Sequence, residues 1–221
     1  ETVFSLTELP KRLLVIGAGP IGVEMAQSFA RFGSQVTVFE ALHGLLTKED
    51  PDAAEIVRKS LERDTVDFLC CVDIERVERT GAVSTVRFKS KHGPSGTREF
   101  DAILVGVGRA PNIEGLDLDT VGVAYDTSGV KVDDHLRTTN PRIYAAGDIC
   151  LAPKFTHTAD FSARIVIQNA LFMGRKRFSA LTIPWCTYTD PEIAHVGLYE
   201  KEALSKGLKV RTFVQKLDEV D

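Results

Sequence analysis

The first forty residues alternate between apolar runs and one amphipathic stretch. Lys11 to Ile16 form an apolar run between Pro10 and Gly17, which is typical of a buried parallel strand. Apolar residues then recur three or four positions apart and predict one buried helix face: Ile21, Met25, Phe29 and Phe32. The polar residues between them are expected to face solvent: Gln27, Ser28 and Arg31. A second strand from Gln35 to Phe39 completes a predicted βαβ unit of about 30 residues.

The pattern changes after this unit. Asp50 and Pro51 suit the first positions of a second helix that ends at Arg63. Three β-rich segments follow: Val66 to Val72, Glu75 to Arg79, and Val83 to Lys89. The alternation between Arg76 and Phe100 predicts a small antiparallel meander, with a turn at residues 92–96. Glu99 to Val107 is predicted as one buried strand that closes the parallel sheet.

The rest of the chain divides near residues 113 and 182. Arg142 to Ala146 is predicted as a short strand, and Thr158 to Met173 as a helix that is apolar around most of its circumference and therefore buried. After residue 183 we expect a helix from Leu198 to Lys206 and a strand from Lys209 to Val214. This last piece has too few residues to build a core of its own.

The 221-residue chain has a net charge of -4 at pH 7 and an isoelectric point near 5.8. This balance argues against nucleic acid or a membrane surface as a partner, since both attract basic patches. No apolar run approaches the roughly 20 residues of a membrane span. Glu1 to Pro10 lack the parts of a secretion signal, and without an initiating Met the chain is expected to be an internal piece.

Four cysteines are present: Cys70, Cys71, Cys150 and Cys186. None forms a C-x-x-C or C-x₄-C pair, so the spacing predicts neither a metal site nor a redox disulfide. Adjacent cysteines in a strand point to opposite faces, and a bridge between Cys70 and Cys71 is therefore not expected. Reduced thiols in a cytoplasmic protein are the expected state.

Gly17, Gly19 and Gly22 form a G-x-G-x-x-G pattern between the first predicted strand and helix. The first glycine permits a tight turn, the second lets a pyrophosphate approach the backbone, and the third lets the helix pack closely on the strand. The free N–H groups and positive dipole of the helix then favour the diphosphate. The other residues of the predicted cofactor-binding loop are Ala18, Pro20, Ile21 and Val23. Glu40 ends the second strand, where its carboxylate would accept hydrogen bonds from an adenosine ribose of NAD(H).

Glu40 also predicts that NADH is preferred over NADPH, because a 2′-phosphate would place a second anion beside its carboxylate. The next residues, Ala41, Leu42 and His43, include no arginine that could bind the phosphate. Glu24, in the first turn of the helix, is a further candidate cofactor-binding residue. An acidic residue at this position also suits the helix dipole, so both interpretations stay open.

Three further segments contain recognisable motifs: residues 106–112 (GVGRAPN), 139–148 (TNPRIYAAGD) and 155–159 (FTHTA). Together with residues 17–24 (GAGPIGVE) they resemble the pyridine nucleotide-disulfide oxidoreductases, flavoproteins that include dihydrolipoyl dehydrogenase and mercuric reductase. Residues 183–192 (IPWCTYTDPE) are most similar to the mercuric-reductase-like branch. The segments occur in one collinear order over nearly the whole chain.

The resemblance implies an α/β, Rossmann-like FAD/NAD(P)-binding fold in three parts. Residues 1–113 would be the NAD(H)-binding domain, 114–182 the C-terminal segment of the FAD-binding domain, and 183–221 the start of a dimerisation domain. The backbone of Val72 and of Gly108 would contact the nucleotide, and Glu24 would lie near the junction of flavin and nicotinamide.

The resemblance also implies flavin contacts. Asp148 would accept a hydrogen bond from the ribityl chain, and the start of the following helix would approach the flavin through backbone N–H groups: Lys154, Phe155, Thr156 and His157. Judged without the resemblance, Gly147 and Asp148 also fit a plain turn, and His157 also fits a helix cap or a surface residue.

Several parts of the family pattern are absent from these residues: the first FAD-binding G-x-G-x-x-G, the C-x₄-C redox disulfide and the C-terminal His-Pro-Thr segment. We therefore expect an NAD(H)-binding portion of a homodimeric, FAD-dependent enzyme, with no catalytic residues of its own and no activity alone. The parent would pass hydride from NAD(P)H to FAD and on to a disulfide or substrate. Two alternatives remain: a nicotinamide dehydrogenase without flavin, and a non-catalytic NADH-sensing module.

Overall fold

The first strand, β1 (Arg12–Ile16), directs alternate side chains into two separate cores. Leu13 and Val15 pack with one cluster of buried residues, whereas Leu14 packs with another, as the two-residue period of a strand requires. The computed structural model, which describes residues 2–216, accordingly has one layer on each face of its central sheet.

The central sheet is parallel and has four strands. The other three are β2 (Gln35–Phe39), β3 (Asp67–Leu69) and β7 (Ala102–Val105). Their order is β3-β2-β1-β7, so β1 lies inside the sheet with Val15 opposite Val38 on one side and Leu104 on the other. Helices α1 (Pro20–Arg31) and α2 (Pro51–Arg63) contribute Val23 and Val57 to the core on one face.

An antiparallel sheet covers the opposite face. Its strands are β4 (Val72–Thr80), β5 (Val83–Ser90) and β6 (Gly96–Phe100). Phe39 of the central sheet packs here against Phe88 and Phe100, with ring centroids 4.5 and 6.3 Å away. The predicted meander before the last parallel strand is therefore confirmed.

Two predicted strands are wrong because each contains a break. The segment from Glu99 to Val107 is not one strand, since β6 pairs in the antiparallel sheet and β7 in the parallel sheet. Asp101 lies between them, where its carboxylate accepts hydrogen bonds from the backbone N–H and the guanidinium of Arg12. The segment from Val66 to Val72 is broken at Cys71, whose φ of 55° lies in the left-handed region.

Helix α1 is turned relative to the predicted buried face. Its buried residues are Gly22, Val23, Ala26 and Gln27. Ile21 and Phe32, predicted to be buried, are 49% and 70% exposed, while Gln27, predicted to face solvent, is only 4% exposed. At Gly22 the helix passes so close to the preceding turn that a Cβ atom would lie 1.9 Å from the Gly17 oxygen, so no side chain fits there.

The second half of the chain has less regular structure. Its elements are β8 (Tyr125–Asp126), β9 (Gly129–Val130), α3 (Thr156–Leu171), β10 (Trp185–Thr187), β11 (Ile193–His195) and α4 (Glu200–Ser205). Strands β8 and β9 pair as a hairpin, and β10 pairs antiparallel with β11. A single turn of 3₁₀-helix, Gly147–Ile149, precedes α3.

Three predictions for this half are wrong. Helix α3 forms, but it is not buried all round, since Phe161 and Ile167 are each about half exposed and Leu171 is 72% exposed. Residues 142–146 form no strand, and only an isolated bridge joins Tyr144 to Arg137. The described part of the last segment, up to residue 216, has no strand between Lys209 and Val214. Among residues 2–216, no helix has both the length and the apolar character needed to cross a membrane.

Candidate functional site

The glycine-rich turn lies where β1, β2 and β7 all end. Gly17 donates a backbone hydrogen bond to the carbonyl of Phe39, and Gly106 donates one to the carbonyl of Ile16. Gly17 has a φ of +99°, and a Cβ atom there would lie 2.7 Å from the Gly106 oxygen. Both the left-handed backbone and the close approach require glycine at this position.

The other two glycines of the motif have contrasting surroundings. A Cβ atom on Gly22 would lie 1.9 Å from the backbone oxygen of Gly17, so this glycine lets α1 pack directly on the turn. A Cβ atom on Gly19 would meet nothing within 4 Å. The side of Gly19 is therefore open at the N-terminus of α1, where the helix dipole and N–H groups favour a phosphate.

The remaining residues of the loop differ in what they expose. Ala18 is buried, Pro20 is the first residue of α1, and Ile21 is half exposed beside the open space. Val23 is fully buried in the helix-side core, and its N–H donates to the carbonyl of Gly19. The structure thus places Val23 for packing, while Gly19, Pro20 and Ile21 form the exposed start of the helix.

Glu40 follows β2 and faces the turn. One carboxylate oxygen accepts a hydrogen bond from the backbone N–H of Ala18 at 2.7 Å, and the other accepts one from Leu42 at 2.9 Å. The backbone of Glu40 is held as well, because its N–H donates to Leu69 and its carbonyl accepts from Val72. Glu40, Val72 and the glycine turn are therefore brought together at one edge of the sheet.

Gly108 extends this edge beyond β7. It is exposed and has a φ of +109°, a conformation that favours glycine. The guanidinium of the next residue, Arg109, lies 3.6 Å from the carboxylate of Asp148. This contact joins the first half of the chain to the Gly147–Ile149 turn. Arg109 was not among the residues predicted for the site. Its position in residues 106–112 (GVGRAPN), one of the segments that resemble the family, is the sequence signal that could have identified it.

The predicted flavin-contacting residues surround the N-terminus of α3. Lys154 donates hydrogen bonds from its ammonium group to the backbone carbonyls of Asp148 and Leu151, so it holds the loop that carries Asp148. Phe155 precedes the helix, and Thr156, its first residue, is exposed. Gly147 approaches the same helix closely, since a Cβ atom there would lie 3.1 Å from that of Ala159.

An aromatic stack links this helix start to β10. The ring of Phe155 stacks on His157 and on Trp185, with centroids 5.4 and 6.3 Å away. Nε2 of His157 lies 2.9 Å from the carbonyl oxygen of Pro184. His157 is therefore engaged with the segment that begins near residue 183.

That segment packs against the first half of the chain. The N–H of Tyr188 donates a 2.8 Å hydrogen bond to the carboxylate of Glu24. The prediction that Glu24 lies in the first turn of the helix is wrong, because α1 begins at Pro20 and its first turn contains no acidic residue. The amide of Gln27 donates to the carbonyl of Asp190 and accepts from its N–H, and Ser60 donates to the same carbonyl. The segment was expected to have too few residues for a core of its own. It is instead held by hydrogen bonds to helices α1 and α2.

Glu49 makes a second connection to the same segment. Its carboxylate accepts hydrogen bonds from the indole of Trp185 and from the hydroxyl of Tyr199. Burial, followed by the Glu49 carboxylate, raises the pKa of Tyr199 well above its usual range. Sequence reasoning missed Gln27, Asp190 and Glu49, because their roles depend on which distant segment covers them.

The geometry thus forms two adjoining groups. The first group contains the glycine turn, Glu40, Val72 and Gly108. It suits a dinucleotide because the side of Gly19 is open at the N-terminus of a helix. The second contains Asp148 and the start of α3, and it offers a carboxylate beside a helix N-terminus. Within the part of the chain that the structure describes, Glu24 is not among the contacts of either group, and its carboxylate accepts a hydrogen bond from the backbone of Tyr188.

Comparison with known proteins assigns the family. Residues 1–163 match the family model described as pyridine nucleotide-disulphide oxidoreductase. The chain belongs to this family. Residues 183–221 match the dimerisation domain of the same family. The family assignment and the Rossmann-like FAD/NAD-binding fold class predicted from the sequence are both confirmed.

Named relatives agree with this assignment. The chain is 37% identical over 220 residues to a mercuric reductase from Staphylococcus aureus, a match that covers 99% of this chain and 40% of the relative. It is 37% identical over 210 residues to a dihydrolipoyl dehydrogenase from Bacillus subtilis, covering 93% of this chain and 44% of the relative.

Among solved structures, the HOCl-induced flavoprotein disulfide reductase RclA from Escherichia coli superposes with a TM-score of 0.83 at 32% identity. This match covers 93% of our chain and 46% of the reductase. The chain therefore spans less than half the length of the relatives it matches. The domain boundaries at residues 113 and 182, and the cofactor contacts of individual residues, stay predictions.

Proposed function

We propose that this chain is the NAD(H)-binding portion of a FAD-dependent oxidoreductase that transfers hydride from NAD(P)H to FAD and on to a disulfide or substrate. The observation that carries the proposal is the contrast within the glycine motif. Gly17 and Gly22 have no room for a side chain, whereas the side of Gly19 opens to free space at the start of α1. This arrangement lets a diphosphate approach the backbone and the helix N-terminus.

Glu40 is proposed to bind the adenosine ribose. Its carboxylate is already oriented by the N–H groups of Ala18 and Leu42, and an ionised carboxylate has further lone pairs for the two ribose hydroxyls. Val72 and Gly108, on either side of the turn, are proposed to add backbone contacts to the nucleotide. Glu24 is proposed to lie toward the nicotinamide end, at the opposite side of α1.

Glu40 is further proposed to select NADH. A 2′-phosphate about 4 Å from the carboxylate would be repelled by roughly 4 kcal/mol at an effective dielectric near 20, before screening and rearrangement reduce it. Nδ1 of His43 lies 3.8 Å from the sulfurs of both Cys70 and Cys71. We therefore expect NADH to bind about ten- to a hundredfold more tightly than NADPH.

The second group of residues is proposed to hold part of FAD, a cofactor that accepts hydride and passes electrons onward when it is bound. Asp148 would accept a hydrogen bond from the ribityl chain, and the backbone from Lys154 to His157 would approach the flavin. The Asp148 carboxylate is presented beside Arg109, and the loop below it is fixed by Lys154. These residues bind and orient the cofactor and carry no proton-transfer step of their own.

Assembly and location complete the proposal. The match of residues 183–221 to a dimerisation domain supports a homodimer for the full-length protein. The four cysteines are free thiols, the state expected in the reducing cytoplasm, where we place the protein.

Titration of the chain with NADH, followed by nucleotide fluorescence and by calorimetry, tests the proposal. We expect one nucleotide per chain, and competition by ADP-ribose, because the glycine turn and Glu40 are proposed to contact the ADP half. Nicotinamide mononucleotide is expected to compete poorly. A folded chain that binds no NADH, or that binds NADH without competition from ADP-ribose, would contradict the proposed site.

A further inference from the structure

Three metal-ligating side chains, His43, Cys71 and His92, converge beside the turn that follows Glu40, and Cys70 contacts one of them. Nδ1 of His43 lies 3.8 Å from the sulfur of Cys70 and 3.8 Å from the sulfur of Cys71. The ring of His92 lies edge-on to that of His43, with centroids 6.0 Å apart. One ligand atom from each of His43, Cys71 and His92 lies within 4.8 Å of the others.

The backbone at Cys71 explains why both thiols face one histidine. Neighbouring residues alternate between faces only within a strand, and these cysteines lie at the break between β3 and β4, where Cys71 has a φ of 55°. The expectation that the two side chains point to opposite faces is therefore wrong. Backbone hydrogen bonds fix the break, since Cys71 donates to Leu42 and accepts from Lys91.

We propose that His43, Cys71 and His92, with Cys70 as the fourth ligand, bind a borderline-soft divalent cation such as Zn²⁺. Two thiolates and two imidazoles are a donor set that zinc binds tetrahedrally, and the two thiolates neutralise its charge. Zn–S and Zn–N bonds of about 2.3 and 2.0 Å imply an N···S separation of about 3.5 Å in a tetrahedron. The 3.8 Å contacts need to close by only a few tenths of an ångström.

The spacing of these residues in the sequence does not indicate a metal site. The four ligands come from three segments: the turn after β2, the β3–β4 junction and the turn after β5. No pair among them has the short C-x-x-C spacing that identifies many zinc sites. Both histidines are exposed and Cys71 is half-buried, so a cation can reach the cluster from solvent.

The protonation of the thiols gives the proposal a second measurable consequence. Burial, followed by the neighbouring Cys70 thiol, raises the pKa of Cys71, while Lys91 acts in the opposite direction. Since zinc binds the thiolate, each cysteine that ligates the metal must release its proton to solvent.

Titration of the reduced 221-residue chain with Co²⁺, a spectroscopic substitute for Zn²⁺, tests the site. We expect one cobalt per chain, with the ligand-field and charge-transfer bands of tetrahedral thiolate ligation, and displacement of cobalt by Zn²⁺. Calorimetry in buffers of different ionisation enthalpy is expected to detect proton release on zinc binding. Cys71→Ser, His43→Gln and His92→Gln are each expected to lower the affinity at least about tenfold. In Cys70→Ser one thiolate fewer should ligate, with less proton release.

Cys150 and Cys186 provide the matched control, because neither contacts the cluster in the described residues. A double serine variant at these positions should bind cobalt like the wild type. Far-UV circular dichroism checks that every variant is folded. The proposal is overturned if the wild type gives no tetrahedral spectrum, if binding survives in Cys71→Ser, or if thiol counting finds Cys70 and Cys71 oxidised to each other under reducing conditions.

Discussion

The carboxylate of Glu40 accepts a 2.7 Å hydrogen bond from the backbone N–H of Ala18, inside the glycine-rich turn. The same carboxylate accepts a second hydrogen bond from Leu42, so both of its oxygens are oriented by backbone. The acidic residue at the end of β2 and the turn at the end of β1 therefore form one unit. A substitution at Glu40 therefore also alters the hydrogen bonds that tie this residue to the turn.

Replacing Glu40 by Gln should remove the preference for NADH. The amide retains an oxygen that can accept from Ala18 but loses the charge that repels a 2′-phosphate. We expect the wild type at pH 8 to prefer NADH about ten- to a hundredfold, and Glu40→Gln to bind both nucleotides within about threefold of each other. Calorimetric affinities for NADH and NADPH measure this.

Glu202→Gln, on α4, is the control for a change of one charge away from the turn. It should leave the preference as in the wild type. Equal affinities in the wild type, or a preference that survives in Glu40→Gln, would show that Glu40 does not discriminate between the nucleotides.

Alanine should destabilise the chain at Gly22 but not at Gly19. Gly22→Ala places a Cβ atom 1.9 Å from the Gly17 oxygen, and we expect the free energy of unfolding to fall by about 2–4 kcal/mol. Gly19→Ala meets no atom within 4 Å and should leave stability unchanged within about 1 kcal/mol. Urea unfolding measures both.

A larger side chain at Gly19 should block nucleotide binding without unfolding the chain. Valine would occupy the space through which the pyrophosphate is proposed to approach the backbone. NADH titration of Gly19→Val should show no measurable binding, with an unchanged far-UV spectrum. Wild-type affinity in this folded variant would place the nucleotide elsewhere.

The chain by itself should neither retain FAD nor turn over NADH. Asp148 and the start of α3 supply one helix N-terminus, whereas the flavin diphosphate in this family is expected to need the absent first glycine motif as its main anchor. Desalted protein should show no flavin absorbance, and NADH should not be consumed with dithiol substrates or metal ions. A bound flavin after desalting, or measurable turnover, would refute this.

Gln27 should control how tightly residues 186–192 are held. Gln27→Leu keeps the size of the side chain but leaves the N–H of Asp190 without its acceptor, and it removes one of two donors to the Asp190 carbonyl. We expect a local loss of about 1–3 kcal/mol, seen as faster hydrogen exchange in that segment. Gln168→Leu, on the exposed side of α3, should leave the exchange unchanged.

Cys150 should react slowly with alkylating reagents. Burial raises the pKa of its thiol from 9.0 to about 11. Two pKa units reduce the thiolate fraction at pH 8 about a hundredfold, and only the thiolate attacks. Mass spectrometry should find this cysteine alkylated far more slowly in the folded chain than in urea. Equal rates in the two states would contradict the inferred burial effect.

The sequence by itself determined the first βαβ unit, the meander and the family. These depend on local signals: the two-residue alternation of β1, the positive-φ requirement at Gly17 and the collinear strings that follow. Such signals can be recognised in the sequence because the residues that produce them are close together in the chain. Glu40 could be found in the same way, since it ends a strand at the spacing that the motif requires.

Only the tertiary structure decided which surfaces are covered. Gln27 is buried where Asp190, 163 residues later in the chain, hydrogen-bonds to it, whereas Ile21 on the same helix is exposed. The cluster of His43, Cys71 and His92 likewise depends on a strand break and three converging segments. Contacts between distant segments are determined by packing. Hydrophobic periodicity in the sequence indicates that a face is apolar, but it does not identify the segment that packs against that face.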